Sequence, residues 1–292
     1  MVENVRRFSR TVTQRVGALD DRFLALNRPL GQARVLWEIG VNGSDGADLR
    51  NLRTRLDLDS GYLSRLLRAL EDDGLVTVEV SPADRRVRLA RLTKAGLAER
   101  AELDDRSNLA AATLLAALSD RQRDRLVTAM AEVERLFVAA AVHIGPCDPR
   151  DPRARYCTQA YFAELAQRFE GGYDPAAAIH VSDADLLPPH GVMLLATLHD
   201  EPVGCAVMRF HDGEPAHIKR MWVAPAVRGL GLSRRILAEL ERLARAHGVR
   251  VLRLETNRAL TEAIGLYRDS GFTEVERFND EIYGHHFFEK HL

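Results

Sequence analysis

A glycine-bracketed turn between a predicted strand and a predicted helix is the part of this sequence best suited to bind an anion. Arg228, Gly229 and Gly231 bracket the turn, and apolar residues follow at helical spacing in the segment 232–240. Glycine lets the backbone approach a ligand closely, and a helix start presents unpaired N–H groups and the positive end of its dipole. The spacing predicts a cradle for a pyrophosphate, although it also fits an ordinary glycine turn that caps a surface helix.

The segments on either side of this turn favour the cradle. Strand-like runs at 192–198, 203–210 and 217–223 precede it, and a strand-like run at 249–257 and a helix-like run at 260–272 follow it. The two motifs are Arg228-Gly229-Leu230-Gly231-Leu232-Ser233 and Ala263-Ile264-x-Leu266-Tyr267-x-x-x-Gly271-Phe272. The first resembles the pyrophosphate loop of the GNAT acetyltransferase superfamily, Arg/Gln-x-x-Gly-x-Gly/Ala, and the second resembles its second signature. The order of the elements is also that of the family, and the resemblance covers about residues 155–292.

This resemblance implies an acetyl-CoA-dependent acetyltransferase that uses no metal. In the family, backbone groups of the strand before the loop hold the pantetheine arm, and the tyrosine of the second signature is the acid that protonates the departing thiolate. That tyrosine is Tyr267, and the alternative is a core aromatic residue. The implied acetyl-CoA-binding residues are Met221, Val223, Arg228, Gly229, Leu230, Gly231, Leu232, Ser233, Asn257 and Tyr267.

The general base is specified less well. Many relatives carry a glutamate on the strand that precedes the loop, and the candidates here are His217 and Glu214. Histidine has a suitable unperturbed pKa for accepting a proton near neutral pH, although a lone histidine is often structural and a chain of waters is an alternative base. Lys219 and Arg220 either receive a substrate carboxylate or face solvent, and we favour solvent.

Two departures from the family pattern bear on these assignments. Ser233 stands where the loop has Gly or Ala, and Leu260 stands where the second signature often has asparagine. Serine is still compact, so the loop is retained. The second departure weakens the assignment of Asn257, which comes earlier in the chain, as a side-chain contact to the pantetheine.

The first half of the chain carries a different pattern. Two short helix-like segments at 47–56 and 59–74 precede two alternating segments joined by the turn Ser81-Pro82-Ala83-Asp84. Asp59 or Ser60 is positioned to cap the second helix, and Gly74 to end it. Its apolar face is formed by Leu63, Leu66, Leu67 and Leu70. This order predicts a winged helix-turn-helix with a basic wing.

Residues 59–96, including Asp84-x-Arg86 and the closing Leu92 to Gly96, resemble the recognition helix and wing of MarR-family regulators. The resemblance extends with lower specificity over about residues 1–143. It implies a double-stranded DNA operator as partner, with the helix in the major groove and the wing on phosphates or the minor groove. The predicted DNA-binding residues are Ser60, Tyr62, Ser64, Arg65, Arg68, Arg85 and Arg86.

Helical segments flank this module at 2–27, 94–118 and 120–142, and Ser119 with Gln122 forms a capping box. Their apolar stripes exceed what a small winged helix covers, which predicts self-association. MarR relatives dimerise through the same terminal helices. A homodimer would place two recognition helices about one DNA turn apart.

Length and composition fit two domains. The chain has 292 residues, 46% of them hydrophobic and 28% charged, and a net charge of −1 that does not by itself indicate nucleic-acid binding. The segment 145–153 contains three prolines and a glycine without apolar periodicity, which predicts a linker. The expected domains are therefore a winged helix at 1–144 and an acetyltransferase at 154–292.

Neither a membrane span nor a secretory signal is apparent. No run of 18 apolar residues occurs, and charges interrupt the N-terminal segment where a signal peptide is apolar. Three scattered cysteines argue against a disulfide framework or a zinc cluster. These features predict a cytoplasmic protein.

The sequence thus predicts a multidomain protein, with a mainly α winged helix-turn-helix followed by an α+β GNAT fold that has a mixed, mainly antiparallel sheet with flanking helices. The predicted function is acetyl transfer from acetyl-CoA to a small primary amine, fused to a DNA-binding regulator. Two alternatives stay open. In one the GNAT domain only senses acetyl-CoA for a regulator, and in the other the winged helix serves dimerisation alone.

Overall fold

The computed structural model describes residues 1–18, 23–26, 28–41, 43–211 and 215–292. The chain divides into two compact units, Met1–Ala129 and Met130–Leu292. The division falls inside a helix, before the predicted domain end at 144. Within the described ranges, no helix combines the length and the apolar character that a membrane span needs.

The first unit is a winged helix, as predicted. Its strands form one antiparallel sheet in the order β1-β3-β2. The elements are α1 (Val2–Arg15), α2 (Leu30–Val41), β1 (Ala47–Asp48), α3 (Leu49–Leu56), α4 (Ser60–Asp72), β2 (Val76–Val80), β3 (Arg88–Leu92), α5 (Lys94–Ala116) and the beginning of α6 (Asp120–Ala141). The helix predicted over 2–27 ends at Arg15, and part of the remainder lies outside the described residues.

Local signals in the sequence set the ends of α4. The Asp59 carboxylate accepts a hydrogen bond from the Tyr62 N–H at 2.8 Å, which caps the first turn, and Gly74 follows the last turn with a φ of +70°. The four predicted leucines of α4 are buried against α2, in one core with Val35, Leu36 and Ile39. The opposite face of α4 is therefore left to solvent.

The second unit is built on a seven-stranded sheet in the order β4-β5-β6-β7-β8-β10-β9. Neighbouring strands are antiparallel except for the parallel pair β7 and β8, so the predicted mixed, mainly antiparallel sheet is confirmed. The elements are β4 (His143–Cys147), α7 (Pro152–Arg168), β5 (Gly191–Leu198), β6 (Glu201–Arg209), β7 (Ala216–Val223), α8 (Leu232–Ala246), β8 (Val251–Thr256), α9 (Thr261–Asp269), β9 (Thr273–Val275) and β10 (His286–His291).

The prediction of a linker at 145–153 was wrong. Gly145 to Cys147 belong to edge strand β4, which pairs with β5, and Pro152 begins α7. Proline fits an edge strand because its missing N–H is not needed on the open side, and it fits the first position of a helix for the same reason. The segment that follows is a single helix, α7, whose N-cap, Asp151, accepts from the Arg153 N–H at 2.8 Å.

Helices cover both faces of this sheet and form two cores. On one face Ile236, Leu237 and Leu240 of α8 pack with Leu254 and Phe288 of the sheet. The other face is covered by α7, through a cluster that includes Cys157 and Trp222. The sheet is thereby held rigid on both sides of the β7–β8 pair.

Candidate functional site

The parallel strands β7 and β8 separate part-way along their length. Among the described residues they pair only at Ala216 with Leu252 and at His217 with Arg253. Beyond this point each strand continues for several residues without the other as a neighbour. The sheet therefore opens between the carboxyl ends of its two parallel strands, where α/β proteins commonly bind ligands.

Two cavities meet at this opening. The glycine-loop cavity, of about 430 Å³, is lined by Val223, Gly229, Gly231, Ser233 and neighbouring residues. The aromatic cavity, of about 290 Å³, is lined by six phenylalanine and tyrosine rings together with Lys219, Arg220, Glu255 and Glu281. The residues that line both cavities are Tyr161, Leu165, Met221, Leu260 and Ala263. A molecule that extends from one cavity into the other passes Met221.

A β-bulge lies next to this junction. On β6, Cys205 pairs with Trp222 and Val207 pairs with Lys219, so a single residue of β6 opposes both Arg220 and Met221. Arg220 has a φ of +51°, which is uncommon for a residue with a side chain. Bulges leave one residue unpaired and re-aim side chains, and they are over-represented beside active sites. The bulge therefore interrupts the regular pairing of β7 where the two cavities join, and the Arg220 carbonyl accepts a hydrogen bond from the Cys205 thiol at 3.5 Å.

The glycine loop presents backbone rather than side chains to its cavity. Gly229 and Gly231 have φ values of +77° and +74°, and Gly231 is an N-cap without a side-chain cap for α8. The side chains of Leu230 and Leu232 pack into the core, whereas Ser233 lines the cavity. The first N–H groups of α8 are thus available to an anion, as the sequence predicts.

Arg228 lines the glycine-loop cavity, but its guanidinium is engaged by protein groups. Its Nε donates to the Val223 carbonyl at 3.0 Å, and its Nη2 lies 2.5 Å from the Glu164 carboxylate, which also accepts from Trp222 Nε1 at 2.9 Å. Burial alone would raise the pKa of Glu164, but the bonds from Arg228 and Trp222 lower it. The Arg228 side chain therefore braces the loop against α7, and the Val223 carbonyl is already used.

Tyr267 lies on the wall of the aromatic cavity. It is 6% exposed, and its ring packs at 5.9 Å from Phe272 and 5.8 Å from Phe288. Its hydroxyl has no hydrogen-bond partner among the residues that the structure describes. Burial raises the pKa of Tyr267 well above its ordinary value. The hydroxyl therefore stays protonated and is free to donate to a bound molecule.

His217, predicted as a general base, is held in an ion-pair network. Its Nε2 lies 2.5 Å from Glu255, and Lys219 Nζ lies 3.0 Å from the same carboxylate and 3.3 Å from Glu281. Burial alone would raise the pKa of Glu255, but the bond and charge of His217 and the charge of Lys219 hold it at about 2. His217 does not itself line the aromatic cavity, whereas Glu255 does. Glu214 falls outside the described residues.

Lys219 does not face solvent as expected, because its side chain is only 10% exposed. Sequence reasoning also missed Glu255 and Glu281. One signal was available for Glu255, since Leu252 and Leu254 alternate with Arg253 and Glu255 along β8 and place the charged pair on the other face of the strand.

Asn257 uses its side chain within the protein. The amide Nδ2 donates to the Tyr283 carbonyl at 3.0 Å, and Oδ1 accepts from the Ala259 N–H at 2.9 Å. These bonds shape the turn between β8 and α9 and fix the C-terminal segment that carries Tyr283 and Glu281. Both polar atoms of the Asn257 side chain are therefore already bonded within the protein, rather than available for the predicted contact to the pantetheine.

The predicted DNA-binding side chains of the first unit are exposed. Ser60, Tyr62, Ser64, Arg65 and Arg68 are all exposed on α4, and the Arg65 guanidinium lies 5.6 Å from the centre of the Tyr62 ring. At the wing tip Arg85 is exposed. Arg86, in contrast, makes a two-bond pair with Asp84, at 3.1 and 2.9 Å, which lowers the pKa of Asp84. The charge of Arg86 is therefore partly neutralised.

Comparisons with known proteins agree with both halves of this description. The acetyltransferase (GNAT) family matches residues 158–272. A protein of Azospirillum brasilense described as an IAA acetyltransferase is 34% identical over 113 residues, which are 38% of this chain and 74% of that protein. The chain belongs to the GNAT acetyltransferase family. It is an N-acetyltransferase, and the GNAT match includes Tyr161, Met221, the glycine loop and Tyr267. Glu281 and Tyr283 follow the end of the match.

An uncharacterised N-acetyltransferase of Schizosaccharomyces pombe is also 34% identical, over 93 residues that are 31% of this chain and 57% of that protein. A solved structure from Klebsiella pneumoniae, described as an acyl-CoA N-acyltransferase, has a TM-score of 0.45 and 26% identity. The similarity covers 52% of this chain and 99% of that one.

The MarR family matches residues 26–87, which contain α4 and the wing tip. The structure of the MepR–DNA complex of Staphylococcus aureus has a TM-score of 0.38 and 20% identity, covering 46% of this chain and 95% of that one. A MarR-type winged helix thus precedes the GNAT domain.

Proposed function

We propose that this protein transfers the acetyl group of acetyl-CoA to a small primary amine, and that its MarR-type half binds duplex DNA. The observation that carries the first part is the meeting of two cavities at Met221, where β7 and β8 separate. One cavity has uncapped helix N–H groups and the other has aromatic rings with titratable side chains. This arrangement fits a donor with a pyrophosphate at one end and an amine acceptor at the other.

The donor is held by backbone in this proposal. Acetyl-CoA supplies the thioester, and the first turn of α8 receives its pyrophosphate through N–H groups and the helix dipole. The bulge at Arg220 and Met221 interrupts the pairing of β7 at the junction, where the pantetheine arm would pass. Glycine is favoured at 229 and 231 because both residues have positive φ values.

Proton transfer uses groups on the aromatic cavity. The acceptor ammonium first loses one proton, and the neutral amine forms the N–C bond as the C–S bond breaks. The amine's second proton is released to solvent, the sulfur gains a proton from Tyr267, and solvent then reprotonates Tyr267. For the first proton we propose the His217–Glu255 pair, in which Glu255 faces the cavity and His217 lies behind it at 2.5 Å.

Acetyl-CoA binding is tested by thermal unfolding. Acetyl-CoA at a concentration about 100-fold above its dissociation constant should stabilise the protein by about 3 kcal/mol, seen as a rise in Tm. Gly231→Asp should abolish that rise, because an aspartate at the N-cap occupies the N–H groups of α8 itself and repels the pyrophosphate.

Two controls separate charge from folding. Gly231→Asn supplies a neutral cap and should keep part of the rise. Gly248→Asp places the same charge at another glycine with positive φ and open surroundings, away from the cavity, and should keep all of it. A wild-type protein that gains no stability at millimolar acetyl-CoA contradicts the proposed function.

DNA binding is supported by the exposed basic face of α4 and by the wing. Phosphate contacts release counterions, so affinity for the duplex upstream of the protein's own gene should fall steeply with salt. Arg85→Ala should flatten that dependence by about one unit for each phosphate that the wing no longer reaches. Arg86→Ala should change it less, because Asp84 already pairs with Arg86.

Arg65→Ala should reduce the preference for that duplex over an unrelated one, if Arg65 reaches a base edge. Weak, sequence-blind DNA binding beside robust acetylation would instead favour a winged helix that serves dimerisation alone.

Homodimerisation stays a prediction, supported by the exposure of Val5, Phe8 and Val12 along α1.

A further inference from the structure

Arg220 occupies an unusual position in the aromatic cavity. It is the residue of β7 at the bulge and keeps a positive φ of +51° although it has a long side chain. A strained backbone conformation of this kind concentrates at ligand sites. Arg220 directly precedes Met221, which lines both cavities at their junction.

The Arg220 guanidinium lacks a carboxylate partner. It stacks at 5.4 Å from the centre of the Phe162 ring, and Nη2 donates to the Val181 carbonyl at 3.2 Å. Within the described ranges, no carboxylate forms an ion pair with it. The charge of Asp183 acts on Arg220, but that carboxylate lies 4.0 Å from Arg155 instead. Since guanidinium has several N–H donors, most of them remain to be satisfied.

The other charged side chains of the cavity are already paired with protein groups. Lys219 contacts both Glu255 and Glu281, and His217 contacts Glu255. Burial lowers the pKa of Arg220, as expected for a cation withdrawn from water without a counterion. Buried charges are ordinarily paired, so Arg220 is the group in this network prepared to receive an anion from outside the protein.

Aromatic rings form much of the remaining wall, beside aliphatic residues such as Ile179 and polar residues such as Thr256. Tyr161, Phe162, Phe169, Tyr173 and Tyr283 line the cavity, with neighbouring ring centres 4.8–5.9 Å apart. A volume of about 290 Å³ is close to the lower end of ligand pockets in proteins. The cavity therefore suits a small molecule with an apolar or aromatic body.

We infer that the acceptor is an amino acid, a primary amine that also carries a carboxylate, with an apolar or aromatic side chain. Its carboxylate pairs with Arg220, its side chain lies among the rings, and its amine points to the junction at Met221. This inference rests on the proposed acetyl transfer at the same site. It goes beyond that proposal by giving the acceptor two recognition groups, the carboxylate and the apolar body.

Matched acceptor pairs test the inference. L-phenylalanine is compared with 2-phenylethylamine, and L-leucine with 3-methylbutylamine, at saturating acetyl-CoA. Each pair shares the amine and the side chain and differs by the carboxylate. The wild-type enzyme should favour the amino acid by at least about 10-fold in kcat/KM, which is the effect of one charge-assisted bond of about 1.4 kcal/mol or more.

Arg220→Gln should remove this preference by raising KM for the amino acids, with little change for the two amines. Arg220→Lys keeps the charge but loses the two-pronged geometry, so it should retain part of the preference. Arg242→Gln, at an exposed arginine that pairs with Glu239 outside both cavities, is the control and should behave as wild type. The rise in Tm with acetyl-CoA shows that each variant is folded and binds the donor.

Binding without turnover provides a second readout. 3-Phenylpropanoate carries the carboxylate and the ring but no amine. It should inhibit the wild-type enzyme in competition with L-phenylalanine and should not inhibit Arg220→Gln. If no tested amine is acetylated, inhibition cannot be measured. The change in Tm that 3-phenylpropanoate causes in the presence of acetyl-CoA is then measured instead.

The possible results separate the two proposals. If acetyl-CoA does not stabilise the protein, the proposed function fails. If acetyl-CoA binds but the wild-type enzyme acetylates both members of each pair equally, or 3-phenylpropanoate neither inhibits nor stabilises it, the inference about Arg220 fails alone.

Discussion

Replacing Tyr267 by phenylalanine should lower kcat by about 100-fold or more, with little change in Tm or in acetyl-CoA binding. The ring is buried against Phe272 and Phe288, and phenylalanine keeps that packing. The hydroxyl makes no hydrogen bond to any described residue, so its removal leaves no protein group unpaired. What is lost is the proton donor to the departing sulfur. The effect on kcat is measured by steady-state turnover with an amine that the wild-type enzyme acetylates, and the effect on Tm is measured by thermal unfolding.

Two further tyrosine variants sharpen this result. Tyr156→Phe, at an exposed tyrosine of α7 outside both cavities, should keep wild-type turnover. Tyr161 lines both cavities, and burial also raises the pKa of its hydroxyl. A large loss in Tyr161→Phe with normal turnover in Tyr267→Phe would assign the donor role to Tyr161 and leave Tyr267 as a packing residue.

The proposed donor also predicts a pH dependence. Because burial raises the pKa of Tyr267 above 10.0, its hydroxyl remains protonated through the physiological range. Any loss of kcat between neutral pH and pH 10.0 should therefore persist in Tyr267→Phe, since it must come from other groups.

The parts of this fold that the sequence predicts well are those with local signals. The Asp59 side chain accepts a hydrogen bond from the N–H of Tyr62, three residues later. The Ser119 N–H donates to the side chain of Gln122, also three residues later, at 3.0 Å. The positive φ values of Gly229 and Gly231 are predictable because glycine adopts that conformation readily. In each case the residue and its partner, or the residue and its backbone conformation, lie within one turn of chain.

The parts that it misses depend on distant partners. Arg228 belongs to the loop motif, but Glu164, 64 residues earlier, holds its guanidinium. In the sequence Glu255 is indistinguishable from an ordinary residue at the end of a strand. Its role depends on His217 and Lys219, which lie beside it on β7 in the folded sheet. No local pattern encodes such pairings. The predicted linker was wrong because proline signals an edge strand or a helix start as readily as an irregular segment.

The bulge at Arg220 shows a third kind of limit. Positive φ is expected at glycine or asparagine, and here an arginine adopts it. Only the register between β6 and β7 reveals that one residue of β6 opposes two of β7. Places where a local preference is overridden are where functional sites are expected, and the bulge lies at the junction of the two cavities.

The acetyltransferase unit should lose stability on acidification from pH 4.5 to about pH 2 through Glu255. Its folded-state pKa of about 2 is below its ordinary value of 4.5, so the folded protein binds this proton less readily than the unfolded chain. The contribution is complete above pH 4.5 and is lost as the pH falls through the folded-state pKa. A difference of this size corresponds to about 3 kcal/mol of unfolding free energy.

Glu255→Gln tests this assignment, because glutamine keeps the size of the side chain and cannot titrate. At neutral pH it should cost about 3–5 kcal/mol, since Lys219 and His217 lose a buried counterion. Over the same acid range its unfolding free energy should fall by about 3 kcal/mol less than that of the wild type. Glu170→Gln, in a pair with Arg258 where the glutamate is 91% exposed, is the control and should change neither quantity appreciably.

Urea unfolding, followed by the fluorescence of Trp222 in a Trp37→Phe background, reports on this unit alone because the chain has two tryptophans. Parallel pH profiles for the wild type and Glu255→Gln would mean that Glu255 titrates normally in the folded protein. The carboxylate would then not be the counterion that fixes Lys219 and His217. The acid-stability profile therefore tests whether Glu255 holds both groups in place in the aromatic cavity.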